Sequence, residues 1–372
     1  MIGSMMVKPM TKLRPRPRRL TLNDVAKASG FSPSTVSIVL NDAPLSQNVA
    51  ATTKLKIREI AEHLGYRPDV FARSLRSRKT QTIGVLVIDL TDPYCTLILQ
   101  GIERRLMQSS YLPIIMDAHN EPLQVERYVD MMLERRVEGL VTVANWLLFD
   151  VSLLENISDH RLPTVVVGRD LESPTINSVI VDNEAGGYAA MEHLYELGHR
   201  DIAFVCGPRQ LIDGRLRWKG IRTFAQKAKL RLNRALIQSL PYVSYAASSF
   251  DASHKLTNEY LESGEPFTAL LAFDDICAYG AIRALFEAGL RVPDDCSVVG
   301  FDDIPTSSLI SPGLTTIRQP MLEMGEYAAD CILKSLNSSD DERDGFFGQS
   351  KIMPAELLVR GSTAKRRTIQ TP

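Results

Sequence analysis

The chain has 372 residues, room for a small domain and one or two larger ones, and 44% of them are hydrophobic, as in a globular protein. No run of about 18 uncharged apolar residues is present, so a membrane-spanning helix is not expected. The net charge of −1 hides a division: residues 1–80 carry 15 basic and 5 acidic side chains, whereas 81–372 carry 28 and 39. A basic front on an acidic remainder suits a protein whose one end meets phosphates, the alternative being an ordinary solvated, lysine-rich face.

Residues 1–19 are basic and proline-bearing and lack an apolar signal core, so they read as a disordered basic arm of a chain that is not exported. Residues 20–66 predict three helices. Thr21 followed by Asp24 is a capping-box pattern, with Leu22, Val25 and Ala26 on the inner side of the first helix. Gly30 permits the reversal that ends it. Ser32 is a good N-cap, and Pro33 suits the first helical position because its missing N–H would be unpaired there anyway. Val36, Val39 and Leu40 then face inward at helical spacing, leaving Pro33, Ser34, Ser37 and Ile38 on the opposite side for a groove. The spacing predicts a third helix near Ala50 to Leu64, with Leu55, Ile60, Ala61 and Leu64 as its stripe and Gly65 as its stop. Two short helices around a glycine turn read as a helix-turn-helix that lays its second helix into DNA.

Residues 67–80 form either a hinge or a plain linker. Helical character from Asp69 to Leu75 is only about two turns, and such a helix is marginal in water. Arg73, Arg76, Arg78 and Lys79 repel one another unless phosphates neutralise them. From Gln81 the texture changes to β-branched runs at 82–90, 112–117, 139–143 and 164–168, then 201–206, 268–273 and 297–301. Helices are expected near 96–108, 124–135 and 150–158, then 185–196, 215–228, 253–262 and 276–288. Two successive β-α sets predict two doubly wound lobes, with a ligand beyond the carboxyl ends of the strands, in the cleft between them. Five scattered cysteines fit reduced, buried thiols of a cytoplasmic protein better than a disulfide or zinc framework.

The helix-turn-helix run, the Y-R-P-D-V-F-A-R-S-L segment beginning at Tyr66 and the two-lobed body resemble the lactose- and purine-repressor (LacI-type) family of bacterial transcription regulators. So do V-D-N-E-A-G-G-Y (181–188), R-W-K-G (217–220), F-D-D-I-C-A-Y-G-A (273–281) and G-L-R-V-P-D-D-C-S-V-V-G-F-D-D (289–303), and the resemblance spans roughly residues 20–362. It implies an all-α helix-turn-helix head on a periplasmic-binding-protein-like α/β body of two doubly wound parallel sheets. The body covers 81–365, with lobe 1 about 81–181 and 315–343, lobe 2 about 182–314 and 344–365, and a tail at 366–372. It also implies a homodimer on near-palindromic operator DNA, whose hinge folds on DNA and whose Leu75 wedges into the minor groove. On DNA, Ser32, Thr35, Ser37 and Asn41 are expected at the backbone, which positions without specifying, and Thr21, Tyr66 and Arg73 are also expected among the DNA-binding residues. Pro33, Ser34 and Ile38 are expected at the bases. Where relatives often carry an arginine stands Ile38, which either touches a thymine methyl or packs against the turn.

The same resemblance places an effector on Asp92, Tyr94, Arg217, Asp274 and Asp302, with Asp182 at the crossover either touching ligand or fixing the chain. Gly168 stands where relatives often have aspartate, and Arg169 follows, which allows a sugar acid or phosphosugar as well as a simple sugar. Asn145 and Trp146 sit at a strand end, the indole being a stacking platform or rim packing. Asp275 is expected to cap the helix after it. No cofactor and no enzymatic activity are expected. No G-x-G-x-x-G follows a strand, the histidines show no metal-ligand spacing, and His199 reads as a structural cap. The chain is thus expected to be an effector-controlled transcription regulator, most simply a repressor. The rival readings are a solute-binding protein of sugar uptake, which needs a signal peptide and no basic head, and an architectural DNA binder without effector control.

Overall fold

The computed structural model describes residues 20–67, 79–144, 162–241, 247–338 and 348–366. The chain forms two compact units, residues 1–80 and 81–372.

The head holds α1 (Leu22–Ser29), α2 (Pro33–Leu40) and α3 (Ala51–Leu64). Both α1 and α3 end on a left-handed glycine, Gly30 at φ 78° and Gly65 at φ 68°. Val25, Ala26, Val36, Val39, Ile57 and Ala61 make the core. The predicted stripe of α3 is out of phase at its start: Leu55 is 61% exposed, and Ile57 takes the buried place because it, Ile60, Ala61 and Leu64 share one helical face. The hinge segment, with Arg73, Leu75, Arg76 and Arg78, lies outside the described residues.

In chain order the body runs β1 (Thr82–Val87), α4 (Pro93–Leu106), β2 (Leu112–Asp117), α5 (Pro122–Glu134), β3 (Gly139–Val143), β4 (Thr164–Val167) and β5 (Asn177–Val181). It continues with α6 (Asn183–Glu196), β6 (Ile202–Cys206), α7 (Ile212–Lys227), β7 (Ile237–Ser239), α8 (Ala247–Ser263), β8 (Ala269–Ala272), α9 (Asp275–Glu287) and β9 (Ser297–Asp302). Last come β10 (Thr315–Arg318), α10 (Met321–Asn337), β11 (Ser350–Met353) and β12 (Glu356–Leu358). The first sheet is ordered β11-β5-β4-β3-β1-β2 and is parallel throughout. The second, β12-β10-β9-β8-β6-β7, is parallel except for the antiparallel β10–β12 pair. The central strands are buried on both faces, hence their unbroken β-branched runs.

The lobe exchanges depart from the expected 315 and 344. Thr315–Arg318 pairs with β9 in the second sheet, where Ile317 packs in the same cluster as Phe301. Ser350–Met353 pairs with β5 in the first. The chain therefore changes lobes at Asp182, at Gln319–Pro320 and at Pro354–Ala355. Helix α10 was not expected; it packs on the first lobe through Met321, Met324, Ala328 and Ile332. The helix predicted at 150–158 lies outside the described residues.

Candidate DNA-binding head and effector cleft

In the head, the N–H and hydroxyl of Thr21 both donate to Asp24 Oδ2, at 2.8 and 2.7 Å, fixing the start of α1. Ser32 Oγ accepts the Thr35 N–H at 3.1 Å and bonds its hydroxyl at 2.8 Å, which opens α2. Pro33 and Ser34 are exposed on its first turn, and Thr35 and Ile38 are half-buried. Ser37 departs from expectation. It is buried, and Asn41 Nδ2 donates to its carbonyl at 2.8 Å and its hydroxyl at 3.3 Å, so the pair closes the end of α2 rather than presenting Ser37 outward. Tyr66 lies half-buried against the head core, and its N–H donates to Ala61 O. Lys27, Lys56, Arg58 and Arg67 are exposed on this unit.

In the body, a cleft of about 480 Å³, its open mouth included, is lined by Asp92 and Tyr94 from the first lobe. Leu211, Asp213, Arg217, Phe273, Asp274, Ile276, Asp302 and Ile304 line it from the second. All of these stand at or after the carboxyl end of a parallel strand, where doubly wound sheets bind ligands. Five predicted residues, Asp92, Tyr94, Arg217, Asp274 and Asp302, therefore converge. Asn145 and Trp146 lie outside the described residues. Asp182 is not among the lining residues: its Oδ1 accepts the Ala185 N–H at 2.9 Å and its N–H donates to Met353 O, so it caps α6 and fixes the crossover. Arg169 does not line the cleft but acts electrostatically on Asp213.

Arg217 is the hub. It can sit so deep because α6 and α7 touch backbone to backbone: a Cβ on Gly187 would collide with the Arg217 carbonyl, and one on Gly220 with that of Glu184. Its Nε donates to Asn183 Oδ1 at 2.8 Å, its Nη1 to Phe273 O at 2.6 Å, and its Nη2 lies 3.6 Å from Asp302 Oδ1. The guanidinium also stacks on Phe301 and Phe273, 3.6 and 4.7 Å from the ring centroids. Asn183 Nδ2 donates onward to Asp213 Oδ1 at 3.0 Å, and Gln319 Nε2 donates to Asp302 Oδ1 at 2.6 Å.

Two carboxylates also organise the backbone. Asp92 caps α4 through the Tyr94 N–H at 2.9 Å, and Asp274 caps α9 through the Cys277 N–H at 2.7 Å. The cap predicted at Asp275 therefore falls one residue earlier. Asp275 itself is fully buried and accepts from Ile304 N–H, Ser307 Oγ and Thr316 Oγ1, tying α9 to β10.

Burial dominates the electrostatics. It lifts the Asp213 carboxyl to about 6, against the opposing pull of Arg217, Arg169 and the Asn183 hydrogen bond. Burial likewise raises Asp274, and Asp302 well above the ordinary carboxylate range. The Tyr94 phenol is raised by burial and then by Asp213. Gly168, at φ 93°, has no side chain, and a Cβ there would come within 2.9 Å of the Tyr94 hydroxyl. The phenol thus occupies the room an aspartate at this position would need.

Sequence reasoning missed Asp213 and Asn183. Asp213 stands four residues before Arg217, and that spacing places both on one face of α7. Asn183 stands directly after the crossover aspartate.

The model of the lacI family of bacterial regulatory proteins matches residues 21–69, and that of a periplasmic binding protein-like domain matches 191–363. The HTH-type transcriptional repressor PurR of Haemophilus influenzae is 33% identical over 346 residues, covering 92% of this chain and 98% of the relative. The lac repressor dimer bound to operator and the anti-inducer ONPF aligns with TM-score 0.77 at 27% identity, covering 93% of this chain and all of that one. A LacI family transcriptional regulator from Enterococcus faecium with bound ribose aligns with TM-score 0.65 at 30% identity, over 77% of this chain and all of that one. A capped helix-turn-helix head, a two-sheet body with its cleft at the strand ends, and a relative one-third identical along nine-tenths of the chain lead to one assignment: the protein belongs to the lacI family of bacterial regulatory proteins, which are DNA-binding regulators of transcription.

Proposed function

We propose that the protein is a cytoplasmic repressor that binds operator DNA as a homodimer and is controlled by a small hydroxyl-bearing effector in the body cleft, without enzymatic activity. The observation that carries this reading is the convergence of Asp92, Tyr94, Arg217, Asp274 and Asp302 at the strand ends of a chain that also bears the helix-turn-helix head. On DNA, Ser32, Thr35 and Asn41 act at phosphates, Pro33, Ser34 and Ile38 at base edges, and Leu75 as a minor-groove wedge. Dimerisation is supported by strand β2, at one end of the first sheet among the described residues, where Leu112 and Ile115 are exposed, with Met107 exposed just past α4 and Leu123 on α5. Effector biases the lobes toward one arrangement, and that arrangement sets the spacing of the two hinges. Its leverage is limited to its difference in affinity for the two states.

Selection of bound duplexes from a random pool by the full-length protein tests the reading. It predicts enrichment of a two-fold symmetric sequence whose affinity falls steeply with salt. With about 6–10 phosphates engaged, on the order of 10³–10⁵ in affinity goes between about 50 and 200 mM. No enriched sequence, or a flat salt response, would overturn it.

A further inference from the structure

The body begins on a residue that is held in place. Gln81 stands directly before β1, and residues 67–80 join it to the head. Its φ of 51° is a left-handed conformation that a residue other than glycine keeps only where its surroundings hold it. The adjoining chain does so. The Gln81 N–H donates to Glu138 Oε1 at 2.7 Å, and its carbonyl accepts the Leu112 N–H at 2.9 Å. The Glu138 N–H donates to the carbonyl of the next residue, Thr82, at 2.8 Å. Glu138 is fixed in turn by the Tyr111 hydroxyl, which donates to Oε2 at 3.0 Å from a ring buried in the first-lobe core. Burial, and then Glu138, push that phenol up to about 12, so it remains a donor at neutral pH. Gln81, Tyr111 and Glu138 each stand one residue before a strand, β1, β2 and β3, so three strand starts are stitched together where the linking segment meets the body.

The paired strands begin at Thr82, opposite Leu112, and that ladder holds β1 without any help from a side chain. The Glu138 bond lies one residue earlier, so what it fixes is the way the chain leaves the body. Releasing Gln81 would add up to about 3.3–3.6 Å of reach to the linking segment. One base pair moves a half-site by about 3.4 Å along the duplex and turns it by about 35°. The two lengths match. We propose that Glu138 is a positioning residue for operator recognition: by holding Gln81 it fixes the point from which each head is tethered, and so sets the half-site spacing that the dimer accepts. This rests on the reading of the protein as a dimeric operator-binding regulator, and adds to it a residue that lies in neither the head nor the cleft lining.

The test uses the full-length protein and duplexes bearing its selected half-sites, with the spacer at the selected length, one base pair shorter and one longer. The readout is the ratio of affinities among these spacers, with an isolated half-site as control. Glu138→Ala should lower the preference for the selected spacer by roughly tenfold, the size of one hydrogen bond to a charged group, and leave the affinity for the isolated half-site unchanged. Glu138→Gln keeps an acceptor for the Gln81 N–H and should keep the parent's profile. A purely structural role would lower the body's Tm and the active fraction alike for every spacer, leaving the ratio as it was. A Glu138→Ala profile equal to the parent's therefore overturns the proposal, as does a Glu138→Gln profile as broad as the alanine variant's. Should Glu138→Ala not fold, Tyr111→Phe carries the test, since it keeps the buried ring and removes only the donor to Oε2; an unchanged profile there overturns the proposal equally. A parent protein with no preference among the spacers overturns the dimer reading itself.

Discussion

Replacing Arg217 by alanine removes the donor to Asn183 and to the Phe273 carbonyl and takes the counter-charge from Asp302, whose side chain is only 14% exposed. Breaking one side of a buried ion pair costs about 3–5 kcal/mol, because the remaining charge stays buried and unpaired. At about 2–4 °C per kcal/mol for a unit of this size, the body transition should fall by roughly 6–20 °C. Arg217→Lys keeps the charge but loses the planar fork and the stacking on Phe301, so it should fall between the two. The loss should be largest at neutral pH and shrink under acid, since protonating the orphaned carboxylates removes the uncompensated charge. Calorimetry of the full-length variants across pH reads this directly. An Arg217→Ala protein that melts within about 2 °C of the parent at neutral pH would refute the argument that the guanidinium balances this cleft. The same variant should retain operator binding while losing its response to effector.

Three further outcomes are expected. Burial holds the Asp213 carboxyl at about 6, above its ordinary 3.8, so the folded state binds the proton more tightly than the unfolded chain does. Stability should therefore decline as pH rises between those values, with the penalty complete above them; Asp213→Asn should melt higher than the parent at about pH 7.5 and no differently at about pH 4, and equal melting at both would contradict the assigned burial cost. Ile57 is fully buried at the centre of the head, so Ile57→Ala should destabilise that unit by about 2–5 kcal/mol and weaken DNA binding while effector affinity stays as it was. Leu75→Ala should weaken operator binding by roughly tenfold with effector affinity intact, measured by anisotropy and calorimetry, and undiminished operator binding would remove the wedge.

The parts legible in the sequence were those whose cause is local. The caps at Ser32 and Gly30, the proline at the start of α2 and the β-branched runs of the central strands each carry their reason within a few residues. The residues after strand ends were legible for the same reason, and the family resemblance placed Asp92, Arg217 and Asp302 together. Long-range causes were not. Strands β7, β11 and β12 are three or four residues long, and such edges exist only because a neighbouring strand offers its backbone. Thr315–Arg318 pairs with β9 in the second sheet, and Asp275, distant in sequence, accepts the Thr316 hydroxyl there. Ser37 is a local exception: its hydroxyl has a partner, Asn41, only one helical turn on, and the sequence reading overlooked it. Helix α10 was legible and was overlooked, since Met321, Met324, Ala328 and Ile332 repeat at helical spacing.

The most direct test of the account is the affinity of the full-length protein for its selected operator, measured with and without a compound that raises the body's Tm. Coupling between cleft and head predicts a change of about 5–150-fold, in a direction that the compound shows reciprocally when its own affinity is measured on and off DNA. An operator affinity that stays the same while the cleft is saturated would contradict it.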